Sequence, residues 1–144
     1  TPGTFMNTVA KIASVLLADD HAQILAQTAK VLTREFEIVG SVANGLDLIT
    51  AAVSLDPDVV VLDITMPGLD GIEAARRLKR ASIRAKLVIL TVHEDPDYVR
   101  SALHAGCDAY VVKARMASDL IPAIHEVLEG HCFVSPTIAL DGEP

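Results

Sequence analysis

Five short β-rich runs, Ile12–Ala18, Glu37–Val42, Val59–Asp63, Leu87–Thr91 and Ala109–Val112, alternate along this chain with segments whose apolar residues fall at helical spacing. The helical faces are read from Ile24, Leu25, Val31 and Leu32, from Leu46, Ile49 and Val53, and from Ile72, Ala75 and Leu78. Two more follow, on Tyr98, Val99, Ala102 and Leu103, and on Leu120, Ile121, Ile124, Val127 and Leu128. This repeat constrains the fold strongly, because a helix between strands returns the chain to the same end of a sheet and makes neighbours parallel. The expected class is α/β, a doubly wound five-stranded parallel sheet flanked by helices.

Composition agrees. A chain of 144 residues is expected to form one domain with a sizeable core. Hydrophobic residues make up 51% and aromatics only 3%, so that core is expected to be Val, Ile, Leu and Ala rather than a base-stacking surface. The net charge of −7, from 19 acidic and 12 basic residues, argues against this stretch binding DNA or anionic lipid. No apolar run has membrane-spanning length, and the start lacks a signal-peptide pattern. Two cysteines, Cys107 and Cys132, suit a reduced, cytoplasmic protein, with Cys107 a small core residue. The expected organisation is a disordered or tag-derived segment over 1–8, one domain over 9–130, and a tail or linker start over 131–144.

The strand ends carry the chemistry. In open parallel sheets ligands sit outside the carboxyl ends of the strands, near the point where strand order reverses. The stretch "VVVLDITMPGLDGIEAARRLK" breaks its apolar run at Asp63, and "VLLADDH" ends the first run on Asp19 and Asp20. Thr91 ends the fourth run and Lys113 follows the fifth. Each has a plain reading by itself: Asp20 as a helix cap near His21, Asp19 as its solvated neighbour, Thr91 as a β-former, Lys113 as a surface lysine. Together at one edge they read differently. Three crowded carboxylates repel unless protonated or bound to a cation, and a hard divalent ion such as Mg²⁺ suits oxygen ligands. One nucleophilic carboxylate, a cation and a lysine then form a site able to take a phosphoryl group, and Thr91 can donate its hydroxyl to a phosphoryl oxygen.

These motifs, with "VILTVHED", "AGCDAYVVKA" and the last helix, resemble the receiver domain of two-component response regulators over roughly Val9 to Leu128. The resemblance implies the flavodoxin-like (βα)5 receiver fold, with Asp63 as phospho-acceptor. It implies Mg²⁺ held by Asp20, Asp63 and the backbone carbonyl of Thr65, with Asp19 acting through water. Lys113 matches the family's lysine, and Thr91 and Tyr110 its switch pair, Tyr110 turning inward when Thr91 moves towards the phosphoryl group. Pro67, Gly68 and Gly71 match the loop leading into the next helix. One departure stands out: Ala114 follows Lys113 where many receivers have a proline after a cis bond, so the geometry of this bond is left open.

Within the family the chain is similar to the NarL/FixJ type, which usually continues into a LuxR-type helix-turn-helix; "TVHEDPDYVRSALHAG" and "FVSPTIA" carry that likeness. It implies a sensor histidine kinase as phosphoryl donor, a possible homodimer on phosphorylation, and DNA contact only through an output domain absent from this chain. A receiver cut from a transcription regulator is the expectation, and a stand-alone receiver acting through protein contacts is the alternative. No enzymatic role beyond self-catalysed phosphorylation and slow dephosphorylation is expected. A haloacid-dehalogenase-type phosphatase would need an acid two positions after the nucleophile, where Thr65 stands, and no G-x-G-x-x-G follows the first strand. His93 reads as an exposed loop residue that tunes water access. His21, His104, His125 and His131 lack metal-ligand spacing and read as surface or packing residues.

Overall fold

The computed structural model describes residues 12–138. The expected segment 1–8, the domain start at 9 and the residues 139–144 lie outside this range. Strands β1 (Ser14–Ala18), β2 (Glu37–Val42), β3 (Val59–Leu62), β4 (Lys86–Thr91) and β5 (Ala109–Val112) form where Val, Ile and Leu are concentrated. Helices α1 (Ala22–Leu32), α2 (Gly45–Leu55), α3 (Gly71–Arg80), α4 (Pro96–His104) and α5 (Met116–Leu128) alternate with them. Local signals start three of the helices. Asn44, Asp70 and Asp95 each accept a backbone N–H of the first turn, and Pro96 fixes the first helical φ of α4.

All pairings are parallel, in the order β2-β1-β3-β4-β5-β6. The expectation of five strands is corrected to six. Phe133 and Val134 form β6, paired in register with Ala109 and Tyr110, inside the segment read as a tail. Two residues are too few to show a strand period, so only the docked partner reveals them. Ile138 is also buried, within the core on one face of the sheet.

Alternation along the strands fills two cores. Leu16, Val60, Leu62, Leu87 and Ile89 face Leu48, Ile72, Leu78 and Val99 of α2, α3 and α4. Val15, Leu17, Val61, Val88 and Leu90 face Leu32, Leu120, Ile124 and Val127 of α1 and α5. Burial on both faces explains why β3, β4 and β5 read as continuous apolar runs. Chain order reverses between β1 and β3. The residues following those two strands are Asp19, Asp20 and Asp63.

Candidate functional site

The sheet itself delivers the site residues. The N–H of Asp19 donates to Val42 O and that of Asp63 to Ala18 O, both at 3.0 Å, so hydrogen bonding to the neighbouring strand continues one residue past each strand and fixes both carboxylate-bearing backbones. Asp19 and Asp63 are buried, each only 4% exposed, while Asp20 faces outward. Lys113 closes the arrangement. Its Nζ lies 2.7 Å from Oδ2 of Asp19 and 2.9 Å from Oδ2 of Asp63, and its side chain is 9% exposed. Burial alone would lower the Lys113 pKa, but the hydrogen bonds and charges of Asp19 and Asp63 outweigh it and raise the value, keeping the ammonium charged.

The remaining carboxylate oxygens are also used. Oδ1 of Asp63 accepts from the N–H of Ile64 at 2.7 Å, and Oδ1 of Asp19 accepts from the N–H of His21 at 2.9 Å. The capping role considered for Asp20 is not seen: His21 is the N-cap residue of α1. Instead Nδ1 of His21 stands 3.2 Å from Asp19 and 3.1 Å from Asp20, a bridge the sequence reading left out. Oxygen and nitrogen atoms of Asp19, Asp20 and His21 lie within 4.8 Å of one another, while Asp63 is turned to Lys113 and does not join that group.

Thr91 and Tyr110 complete the set. Thr91 is fully buried, and its Oγ1 has no hydrogen-bond partner among the described residues. A buried hydroxyl left without a partner is uncommon and costs free energy, so this one stands ready for an acceptor. Tyr110 is fully buried and already faces inward, which corrects the expectation that it turns inward only as Thr91 moves, and its hydroxyl donates to the carbonyl of His93 at 2.8 Å. Burial, with the Asp63 charge adding to it, pushes the Tyr110 pKa up. His93 is half-buried and tied down: Nε2 lies 2.8 Å from Thr65 Oγ1, and its ring stacks on Tyr98 at 4.4 Å. It thus joins the loops after β3 and β4 above the strand ends.

Pro67 and Gly68 lie in the turn from β3 to α3 and Gly71 is the first residue of α3, and the two glycines act differently. Gly68 has φ +78°, a left-handed conformation suited to glycine. Gly71 passes so close to Asp63 that an added Cβ would stand 2.0 Å from that carbonyl oxygen. The Lys113–Ala114 bond, left open above, is trans, as are all peptide bonds among the described residues.

Comparison with known proteins identifies the family. The profile of the family described as "Response regulator receiver domain" matches residues 15–125. The chain belongs to that family. It is 32% identical over 128 residues to the nitrate/nitrite response regulator protein NarL of Escherichia coli, covering 88% of this chain and 59% of NarL. It is 34% identical over 127 residues to the response regulator GacA of Pseudomonas aeruginosa, covering 87% and 59%. A crystal structure of a LuxR-family two-component response regulator from Aurantimonas sp. superposes with TM-score 0.85 at 30% identity, over 89% of this chain and 93% of that one. This receiver therefore spans about three-fifths of the length of the curated relatives described.

Proposed function

We propose that this receiver accepts a phosphoryl group on Asp63 from a histidine kinase and controls an output domain elsewhere in its full-length protein. The observation that carries the reading is the placement of Asp63 beside Lys113, with Asp19 on the same ammonium and an unpartnered Thr91 hydroxyl buried at the end of β4. An oxygen of Asp63 forms a bond to phosphorus as the bond to the donor nitrogen breaks, and the leaving imidazole takes the electron pair and a proton. Lys113 neutralises charge on the acceptor and on the transferring oxygens, and the Thr91 hydroxyl donates to one of them.

Asp19 and Asp20, grouped with His21 at this edge, offer carboxylate oxygens that suit a hard divalent cation. Asp20, Asp63 and the carbonyl of Thr65 are the residues that would hold Mg²⁺, with Asp19 acting through water. When bound, the ion supplies further charge neutralisation. The likeness to NarL/FixJ regulators supports transcription control through a DNA-binding output domain, with dimerisation as its means. Among the described residues no helix is long and apolar enough to cross a membrane, which accords with the proposed cytoplasmic setting. Water returns the domain slowly to its resting state, and no other catalysis is assigned.

The test is intact-mass measurement after acetyl phosphate and Mg²⁺. Wild type is expected to gain one phosphoryl group, and Asp63→Asn none while keeping its circular dichroism. Equal labelling of the two proteins overturns the assignment.

A further inference from the structure

The residues on either side of Lys113 are held by a network, buried at Asp119 and Ser135, that lies outside the acceptor set described above. Asp119, on the first turns of α5, is 5% exposed and Ser135, just after β6, is 1% exposed. The Ser135 hydroxyl donates to Oδ2 of Asp119 at 2.9 Å and accepts the N–H of Val112 at 3.2 Å. Arg115 donates to the same carboxylate from Nε at 2.8 Å and from its terminal nitrogen at 3.1 Å, and Ser118 adds a bond at 3.0 Å. Val112 immediately precedes Lys113, and Arg115 ends the single 3₁₀ turn that begins with it.

We propose that Asp119 and Ser135 are positioning residues for Lys113: by anchoring Val112 on one side and Arg115 on the other, they aim the Lys113 ammonium at Asp63 and Asp19. The physical need is plain. Lys113 carries a long side chain with several rotatable bonds, and the Lys113–Ala114 link is an ordinary trans peptide, so its aim depends on how firmly the flanking backbone is held. The anchor is placed where β5 runs out. Ser135 N–H donates to Tyr110 O, and the next bond in line comes from Val112 N–H to the Ser135 side chain instead of to backbone. Ser135 also lies on the segment by which the chain leaves the sheet, so pulling that segment away releases one side of the anchor.

The proposal rests on the assignment of Asp63 as acceptor for its kinetic consequence, but not for its geometric one. The experiment therefore reads both. Receiver carrying isotope-labelled lysine is examined by NMR as wild type, Ser135→Ala and Asp119→Asn, with Lys113 assigned by Lys113→Arg, and each protein is also phosphorylated with acetyl phosphate and Mg²⁺. In both variants the Lys113 side-chain resonance is expected to move towards those of the exposed lysines, and phosphorylation to slow by up to roughly a hundredfold, the scale of a reacting group misplaced by about 1 Å. Ser135→Ala removes a single oxygen, so its thermal transition checks that the fold is kept, and Asp119→Asn preserves shape while weakening the Arg115 pair. An unmoved Lys113 resonance in both variants overturns the proposal, even if phosphorylation slows. If wild type takes no phosphoryl group, the acceptor assignment falls, and the Lys113 resonances still decide the positioning role.

Discussion

Lys113 and Asp63 form an ion pair of 2.9 Å although their strands do not touch: β4 lies between β3 and β5. The lysine side chain spans the end of the intervening strand, and that strand ends in Thr91. A charge change at Asp63 is therefore felt directly by Lys113, at the end of β5. Such a bridge links Asp63 directly to the end of β5, and through Val112 to Ser135.

The unpartnered hydroxyl of Thr91 gives the first prediction. Thr91→Val keeps the shape and removes a buried donor without an acceptor, so stability of the unphosphorylated protein is expected to rise by about 1 kcal/mol. The same variant should bind beryllofluoride more weakly and transmit less change to Tyr110 in NMR spectra. A drop in stability would mean that the hydroxyl has a partner in solution.

The two neighbouring aspartates should separate cleanly. Asp19 holds Lys113 and the N–H of His21, so Asp19→Ala is expected to lower stability by roughly 1–3 kcal/mol. Asp20 is outward-facing, with His21 beside it, so Asp20→Ala should change stability by less than about 0.5 kcal/mol. Mg²⁺ affinity, followed by titration, should reverse the ranking and fall further in Asp20→Ala. Equal Mg²⁺ affinities would remove Asp20 from the ligand set.

Gly71→Ala tests close backbone approach. The added methyl would collide with the Asp63 carbonyl, a backbone atom that cannot rotate away. A loss of about 1–3 kcal/mol is expected in urea unfolding, as for other overpacked sites, with slower phosphorylation because Asp63 must shift. Gly68→Ala, strained only by its positive φ, should leave the phosphorylation rate nearer wild type.

Acid should expose the Asp119 network. Burial would raise its pKa, but the hydrogen bonds from Arg115, Ser135 and Ser118 outweigh burial and lower it. Asp58 is lowered too, first by the N–H of Ser14 and then by Arg84, against burial. A depressed folded pKa contributes stability above the unfolded value of about 3.9 and loses it as pH falls through the folded value. Urea midpoints measured from about pH 6 to about pH 3 should therefore drop less steeply for Asp119→Asn than for wild type. Parallel curves would show that Asp119 does not contribute through its charge.

The central architecture was legible because burial writes itself into local pattern. Val59–Leu62 and Ala109–Val112 are apolar throughout since both faces of their strands are covered, and α5 shows its buried stripe at Leu120, Ile124 and Val127. Asp63, Asp19 and Thr91 were legible for the opposite reason: each is a polar residue at the end of a buried strand, and parallel topology brings such ends to one edge. Tertiary structure alone decided the rest. The bridge from Lys113 to Asp63 joins residues 50 apart, and Ser135 meets Val112 across 23. The serine hydroxyl becomes a backbone acceptor only because β6 docks on β5, and the two-residue β6 is stable only against a strand already formed. His93 and Asp119 have ordinary local contexts, and their roles arise from partners folded beside them. Periodicity reports which side of an element is buried, whereas the partner of a buried polar atom depends on distances that exist only after the sheet has closed.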